Sequence, residues 1–325
     1  MLFIKPKFYN SFKCIAGDCS DSCCIGWEIT VDEKTKAKYE KLKGAFGEKI
    51  RANLTMDEDG CTCFKLSGKE HCPFLNDKKL CDIIVNCGEK FLCDICTEHP
   101  RFYNEYPLVV ECGLGLCCEE ACRLLLENEA AFELEKETAS EDDELWFDEV
   151  LYEDYTALYE IREDIFNILK GDADYSKKLE EITAMLEEAG EHIRKESDEE
   201  LIARYAKTEP INEEWLEYFS KLQKDANVLL QKEKPFDEET NGDKLYSKIL
   251  AYLIFRHLGD CIYNESVTLG ASLSFCVSGV RFIKLCDMKT YHEKGCLTLS
   301  DRIENVKRWS KQIEYSDLNV DMLTK

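Results

Sequence analysis

The sequence predicts a mainly α protein in which a cysteine-rich, metal-binding N-terminal region of short irregular elements packs on a C-terminal helical domain. Fifteen of the 19 cysteines lie within the first 122 residues of this 325-residue chain. Beyond residue 150 the apolar residues recur at the period of amphipathic helices, and no alternation of strands and helices indicates a parallel sheet. We therefore predict two domains, 1–125 and 126–325, the second beginning with an acidic segment.

Five helices are predicted in the C-terminal domain from apolar residues at helical spacing. Several of these patterns end at a glycine, which commonly follows the last turn of a helix, and Ser300 is the expected N-cap of the last one. The predicted helices cover 151–169 before Gly171, 179–186 before Gly190, 215–222, 245–258 before Gly259, and 300–313.

The N-terminal region lacks the long helical patterns of the C-terminal domain. Gly, Pro, Asp and Cys interrupt it often, and only short stretches such as Trp27 to Asp32 alternate with the two-residue period of a strand. Such a region has a thin apolar core of its own, so we expect bound metal to supply the missing rigidity.

The cysteines are predicted to bind metal rather than to form a disulfide framework. The first ten residues lack the apolar core of a secretory signal, and no run of about 18 uninterrupted apolar residues could span a membrane. We therefore expect a cytoplasmic protein that does not bind membranes. Thiols in that reducing compartment stay free or bind metal, and an odd cysteine count would leave one unpaired.

The spacing of the cysteines favours an iron–sulfur cluster, with zinc as the alternative. Zinc usually takes two regular pairs of closely spaced cysteines, and only Cys93 and Cys96 form such a pair. Iron–sulfur clusters accept thiolates scattered along the chain. The candidates are spaced as Cys14-x4-Cys19-x3-Cys23-Cys24, Cys72-x8-Cys81, Cys93-x2-Cys96 and Cys118.

The charge distribution argues against nucleic acid as a partner. The net charge is −24, and residues 123–325 carry −20 of it, which repels phosphate backbones. The segment from Glu127 to Asp154 holds 13 acids and a single base, Lys136. It is interpreted either as a solvated linker or helix face, or as a docking surface for a lysine-rich protein.

Several motifs make the chain recognisable. Its opening contains Phe12-Lys13-Cys14, Gly17-Asp18-Cys19 and Cys23-Cys24-Ile25-Gly26-Trp27. A second signature runs from Cys72-Pro73-Phe74-Leu75 through Leu80-Cys81-Asp82-Ile83 to Cys93-x2-Cys96-x3-Pro100-Arg101, and a third includes Gly113-Leu114-x-Leu116-x-Cys118. This pattern resembles the flagellin lysine N-methylase family. It is similar, more loosely, to a small zinc- or iron-chelating domain.

The resemblance implies a function, a cofactor and a ligand set. It implies transfer of methyl groups from S-adenosylmethionine to surface lysines of a flagellin-like protein, with an iron–sulfur cluster, expected to be 4Fe-4S, required. The implied ligands are drawn from Cys14, Cys19, Cys23, Cys24, Cys72, Cys81, Cys93, Cys96 and Cys118. The alternatives are a zinc- or iron-binding protein without catalysis, and a related enzyme that modifies another peptide.

The chain departs from the family pattern in ways that bear on its substrate. Ile84 stands where the family tends to have His, and Glu119 stands where it has Pro. Six further cysteines look like additions, interpreted either as ligands of an extra metal or as small apolar side chains: Cys61, Cys63, Cys87, Cys112, Cys117 and Cys122.

The binding site for S-adenosylmethionine is predicted from the helical side. Gly113-Leu114-Gly115 lacks the third glycine of a Gly-rich cofactor loop, so an ordinary Rossmann-type methyltransferase is not expected. Arg256, Glu314 and Asn319 are instead expected to supply polar contacts to the cofactor, at the junction of the two predicted domains. Arg256 and Glu314 could equally form an internal ion pair, and no catalytic base is identified.

Overall fold

The chain folds into 15 α-helices, three short 3-10 helices and six strands among the residues that the structure, a computed structural model, describes. The described residues are 1–26, 28–57, 59–67, 71–128, 130, 132–138 and 146–325. Helix predominates, and the strands and irregular elements are concentrated toward the N-terminus, so the predicted mainly α fold is confirmed. The acidic residues 141–144 and Trp27 lie outside the described residues.

The chain divides into two compact units. The helical unit comprises Met1–Phe12, Tyr103–Cys117 and Ala121–Lys325, and the cysteine-rich unit comprises Lys13–Phe102 and Cys118–Glu120. Both units therefore contain discontinuous pieces of chain, whereas the predicted division at residue 125 assumed two continuous domains.

A four-stranded mixed sheet belongs largely to the helical unit. Its strand order is β4-β5-β1-β6, with β1 parallel to β5 and antiparallel to β6. Leu2 pairs with Val109 across the parallel ladder. No parallel sheet was predicted, and the sheet is mixed. Its parallel pair of β1 with β5 was not predicted, because β1 comes from the far N-terminus and sequence periodicity does not reveal so distant a partner. The sheet strands are β1 (Leu2–Pro6), β4 (Arg101–Tyr106), β5 (Val109–Leu114) and β6 (Leu134–Thr138).

Helix α13, the longest helix, packs against most of the other helices of the helical unit. It runs from Leu269 to Lys294 and packs against seven other helices of that unit. It has the length and hydropathy of a membrane span, but 72% of its most apolar stretch is buried inside the fold, as expected of a core helix. The helices of this unit are α5 (Glu119–Glu127, whose first two residues belong to the cysteine-rich unit), α6 (Glu149–Lys170), α7 (Tyr175–Glu188), α8 (Asp198–Tyr205), α9 (Glu213–Gln231), α10 (Glu233–Thr240), α11 (Asp243–His257), α12 (Asp260–Tyr263), α13, α14 (Leu299–Ile313) and α15 (Asp317–Thr324).

The five predicted helices correspond to α6, α7, α9, α11 and α14, and their buried faces carry the residues that predicted them. The predicted N-cap of α14 is wrong. Thr298, not Ser300, caps it, because Thr298 and Asp301 hydrogen-bond each other's backbone N–H groups in a capping box. Helix α13 was not predicted at all.

The cysteine-rich unit is built from short elements around a small core. Its core includes Ile29, Val31, Tyr39, Phe64 and Phe74. Residues 28–32 form no named strand, contrary to the prediction for this stretch, and only Thr30 bridges to Cys63. The elements of the unit are α1 (Glu33–Lys41), α2 (Ala45–Ala52), β2 (Leu54–Met56), β3 (Thr62–Phe64), α3 (Asp82–Cys87) and α4 (Asp94–Glu98).

Candidate metal centre and the Arg256 cluster

All nine predicted metal ligands lie in the cysteine-rich unit. Cys118 belongs to a short segment of this unit, residues 118–120. The chain on either side of that segment, up to Cys117 and from Ala121 onward, belongs to the helical unit. Cys112, Cys117 and Cys122, three of the cysteines regarded as additions, lie in the helical unit. The two compact units therefore separate the implied ligands from these three thiols.

Five of the nine thiols pack around one apolar core. Cys72 and Cys93 are buried within it, and Cys24, Cys81 and Cys96 are partly buried against it. We call these five the thiol group. Aromatic rings surround it, with Phe74 meeting Phe64 edge to face at 4.9 Å between ring centroids. These sulfurs are thus held largely away from water.

The sulfurs of the thiol group influence one another. Cys93 Sγ and Cys96 Sγ lie 3.3 Å apart. The hydrogen bond between them lowers the pKa of Cys93, and the same bond, burial and the charges of Cys24 and Cys72 raise the pKa of Cys96. Packing several thiols together therefore suppresses ionisation of some of them, and a bound cation would remove that penalty because it neutralises the thiolates.

A similar coupling ties Cys24 to Cys72. A hydrogen bond with Cys23 favours the thiolate of Cys24, but the bond to Cys72 and burial outweigh it and raise the pKa of Cys24 to about 12. The backbone also links the pair, since Cys72 N–H donates to the Cys24 carbonyl at 2.8 Å. Burial raises the pKa of Cys81, against the opposing effect of the Ile83 and Ile84 N–H groups.

Cys14, Cys19 and Cys118 have different surroundings. Glu119 Oε2 accepts the Ser20 backbone N–H at 2.8 Å and lies 3.6 Å from Cys19 Sγ, which brings the segment containing Cys118 beside Cys19. Cys14 is exposed, and its sulfur accepts the Ala16 N–H at 3.4 Å.

The donor chemistry of the thiol group fits a soft metal centre. Its five donors are all sulfur, which selects zinc, Cu(I) or iron–sulfur clusters. Within the described ranges, no group of three or more His, Cys, Asp or Glu side chains is arranged to hold one metal ion.

In the helical unit, Glu314 is buried and forms an ion pair with the partly buried Arg256. Arg256 Nε lies 3.2 Å from Glu314 Oε1, and His257 Nε2 lies 2.7 Å from the same oxygen, while Ser310 donates to Oε2. Burial alone would raise the pKa of Glu314, but Arg256, His257 and Ser310 outweigh it and lower the pKa to about 2. We call Arg256, His257, Ser310 and Glu314 the Arg256 cluster.

Cys117 and Tyr315 lie beside the Arg256 cluster. The Tyr315 hydroxyl donates to Cys117 Sγ at 2.7 Å. Burial raises the pKa of Cys117 to about 11, although Tyr315 and the charge of Arg256 act in the opposite direction. The sequence analysis did not identify His257 and Tyr315 as site residues. The sequence indicated them only by position, since His257 follows Arg256 and Tyr315 follows Glu314.

Asn319 lies in a separate network. Its side-chain oxygen accepts the Glu209 N–H at 2.7 Å, and its amide nitrogen donates to the carbonyls of Glu209 and Gln312, both at 2.9 Å. Asn319 thus fixes the chain between α8 and α9 against α14 and α15. Of the three predicted cofactor contacts, Arg256 and Glu314 lie together, whereas Asn319 contacts backbone groups.

Comparison with known proteins identifies the family. Residues 120–325, more than half of the chain, match the FliB lysine N-methylase C-terminal domain. The chain belongs to this family. The match contains the Arg256 cluster and Asn319 but none of the nine predicted metal ligands. The predicted resemblance is confirmed, and so, at the level of the family, is the predicted enzyme class of protein lysine N-methyltransferase.

Three curated relatives, all from Salmonella, match about two fifths of the chain. The flagellar biosynthetic protein FliU of Salmonella muenchen is 33% identical over 135 residues, which are 40% of this chain and 80% of FliU. The lysine-N-methylases of Salmonella choleraesuis and Salmonella typhimurium are 29% and 31% identical, over 41% of this chain and 35% of each relative. The chain thus spans about a third of the length of these two methylases. No solved structure matches the chain.

Proposed function

We propose that this chain is an iron–sulfur-dependent enzyme that transfers methyl groups from S-adenosylmethionine to lysines of a flagellin-like protein in the cytoplasm. Membership in the FliB lysine N-methylase family supports lysine methylation, and a relative named as a flagellar biosynthetic protein supports a flagellar substrate. The observation that carries the metal requirement is the thiol group, with five cysteines around one buried core.

The proposed cluster ligands are three of four members of the thiol group. Cys24, Cys72, Cys93 and Cys96 are coupled most tightly to one another, and Cys81 is the fifth candidate. A cluster bound through three of these thiolates would leave one iron able to coordinate an amino or carboxylate group. The protein's own contribution is to hold the sulfurs in a core with few polar competitors.

The methyl transfer itself requires a neutral lysine. The ammonium first loses a proton, and the nitrogen lone pair then attacks the sulfonium methyl. A carbon–nitrogen bond forms, the carbon–sulfur bond breaks, and S-adenosylhomocysteine leaves. Lysine's ordinary pKa of about 10.4 means that this deprotonation must be assisted at neutral pH.

Arg256 is the proposed contact for the cofactor carboxylate. Its planar guanidinium suits a carboxylate better than a point charge does. Glu314 has both oxygens engaged by Arg256, His257 and Ser310, so we assign it the role of orienting Arg256 rather than touching the cofactor. Asn319 keeps a supporting role through the backbone it holds.

Anaerobic purification followed by metal analysis and a transfer assay tests the proposal. We expect brown protein that contains iron and acid-labile sulfide, and mass spectrometry should locate methyl groups on lysines of unmethylated flagellin after incubation with S-adenosylmethionine. A colourless protein with stoichiometric zinc and no transfer would instead support the metal-binding alternative. Transfer by a protein without iron would overturn the cluster requirement alone.

A further inference from the structure

A stretch of exposed apolar residues precedes and begins α6. From Trp146 to Asp154 every residue except Leu151 is exposed. Four of these are large and apolar, and Phe147 and Val150 are the most exposed, at 59% and 67%. Apolar residues scattered singly over a surface are ordinary, whereas four within seven residues mark an interaction site: Trp146, Phe147, Val150 and Tyr152.

This surface continues onto α12. Tyr263 is 53% exposed and stacks on Tyr106 with 5.9 Å between ring centroids, and Tyr106 in turn stacks on Tyr155 of α6 at 4.4 Å. Helices α6 and α12 pack together. Burial raises the pKa of Tyr263, and so do the charges of Glu105 and Asp148.

The charged residues of this segment are all acidic. Asp148, Glu149, Glu153 and Asp154 stand among the exposed apolar residues, and no Lys or Arg lies between 146 and 154. Asp148 caps α6 through the Leu151 N–H at 3.0 Å. Glu149, Glu153 and Asp154 form no ion pair with any residue in the described part of the chain, so their charges are available to a partner.

We propose that the surface formed by residues 146–154 and Tyr263 docks a lysine-bearing segment of the protein substrate. This inference rests on the proposed function. Aromatic faces attract ammonium groups, at about 0.5–1 kcal/mol each on an exposed surface, and nearby carboxylates complement the same charge. Because methylation keeps the positive charge of lysine, the surface binds substrate before and after transfer, and it recognises the protein rather than the reacting amine.

The first turn of α9 provides a matched control. It too carries acidic residues, Glu213 and Glu214, and an exposed Leu216, but its aromatic residue, Trp215, is buried. If negative charge and one exposed apolar residue were sufficient for docking, changes in α9 would have the same effect as changes in α6.

Unmethylated flagellin is the probe, and the full chain is used throughout. The variant Phe147→Ala with Val150→Ala should weaken flagellin binding about tenfold, in line with loss of interface anchors. The variant Glu149→Gln, Glu153→Gln and Asp154→Asn should weaken it and flatten its salt dependence. The control Leu216→Ala should bind as the parent does. In transfer assays the α6 variants should raise KM for flagellin without changing KM for S-adenosylmethionine.

Trp146 offers an independent readout. It is exposed, whereas Trp215 and Trp309, the other tryptophans in the described ranges, are buried. The fluorescence difference between the parent and Trp146→Phe isolates its signal, and flagellin should protect that signal from acrylamide quenching. No protection, or no binding of flagellin at all, would overturn the docking surface.

The outcomes separate this proposal from the proposed function. Parent protein that binds flagellin through this surface but transfers no methyl group would sustain the docking surface and overturn the enzyme. If the parent protein transfers methyl groups and the α6 variants have an unchanged KM for flagellin, the enzyme is sustained and the docking surface is overturned. If the Phe147→Ala, Val150→Ala variant converts a dimer into a monomer in sedimentation, the surface serves a second copy of the chain and the proposal is wrong.

Discussion

Two adjacent thiols, Cys117 and Cys118, belong to different compact units. Adjacent cysteines suggest two soft ligands for one centre, yet Cys117 is buried in the helical unit and accepts the Tyr315 hydroxyl. Its sulfur is hydrogen-bonded by Tyr315 within the helical unit, whereas all nine predicted ligands belong to the cysteine-rich unit. Sequence adjacency therefore does not establish shared ligation, since backbone direction sends successive side chains into different environments.

The thiol group yields the first prediction at the residue scale. Replacing Cys24 or Cys72 with Ser should strip the metal and loosen the cysteine-rich unit, because metal binding stabilises the fold of such small modules by about 10 kcal/mol or more. Metal content per chain and protease sensitivity of residues 13–102 measure the two effects. The changes Cys61→Ser and Cys117→Ser are the controls, one exposed and one in the other unit. Loss of all metal from Cys61→Ser alone would refute the ligand assignment.

Arg256 is predicted to act in cofactor binding. Arg256→Ala should abolish methyl transfer and weaken S-adenosylmethionine binding measured by calorimetry, while leaving iron content unchanged. Arg256→Lys preserves the charge but not the planar fork, so it should bind the cofactor with intermediate affinity. If Arg256→Ala folds and keeps the parent's activity, Arg256 serves only the internal ion pair.

Glu314 makes stability depend on pH in a defined way. Its pKa is lowered to about 2, so its stabilising contribution is complete above its ordinary value near 4.5 and is lost as pH falls toward 2. Burial lowers the pKa of His257, but Asp260 and Glu314 outweigh it and raise it above 6.5, so this contribution is lost as pH rises through that higher value. Both contributions are present together between about pH 5 and 6.5.

Glu314→Gln tests this dependence. The variant should be less stable than the parent by about 3 kcal/mol, the cost of breaking a largely buried ion pair, with the widest gap between about pH 5 and 6.5. Urea unfolding from pH 4 to 9 measures the gap. Glu149→Gln, an exposed acid without an ion pair in the described part of the chain, should show no such profile. A constant gap for Glu314→Gln across this range would contradict the titration.

At the scale of elements, the sequence predicts amphipathic helices better than buried ones. Helix α6 was predicted because only one face, with residues such as Leu158 and Ile165, is buried. Helix α13 buries residues on nearly every side, including small ones such as Gly279 and Ser274, so its apolar residues show no helical period. Its burial depends on seven neighbouring helices, which no local pattern encodes.

The candidate site, too, was predicted where its residues form local motifs and not where it depends on long-range contacts. The cysteine motifs identified a set of nine thiols in advance, because metal ligands leave short local signatures. Their sorting into the thiol group and the Cys19–Glu119 neighbourhood depends on long-range contacts, such as Ser20 with Glu119 across 99 residues. The position of Asn319 among backbone groups of Glu209 and Gln312 was likewise not predictable, because a polar residue in a motif does not reveal its partners.

Gly279 carries the prediction at the element scale. A Cβ at this position of α13 would lie 2.6 Å from Trp309 Cζ2 of α14 and 3.3 Å from a Leu253 methyl group of α11. Trp309 is fully buried and cannot move aside. Gly279→Ala should therefore destabilise the protein by about 1–3 kcal/mol, despite the better helix propensity of alanine. The melting temperature measures the effect.

A double-mutant cycle separates the clash from other causes. Trp309→Phe removes the ring atoms nearest to Gly279, so the glycine change should cost less in that background than in the parent. Equal costs in both backgrounds would show that close packing of α13 on α14 does not select glycine here.

For the whole molecule, the net charge of −24 sets the response to salt. Most of this charge lies on exposed acids, whose mutual repulsion is screened once the Debye length falls to about 10 Å at 0.1 M salt. Salt also weakens ion pairs, but the prominent network of Arg281 with Asp198 and Glu233 is only about a quarter exposed and is screened less. Fully exposed pairs contribute only about 0–1 kcal/mol each. Relief of repulsion should therefore exceed the loss of attraction.

We accordingly expect the melting temperature at pH 7 to rise as KCl increases from 0.02 to about 0.3 M, a range over which the Debye length falls severalfold. The variant Glu149→Gln, Glu153→Gln and Asp154→Asn removes three charges that form no ion pair within the described ranges, so its melting temperature should be higher at low salt and should rise less with KCl. Sucrose at matched osmolality stabilises without screening and should raise both proteins equally. A melting temperature that falls with KCl would mean that the ion pairs, rather than the excess of acids, govern the electrostatic stability of this fold.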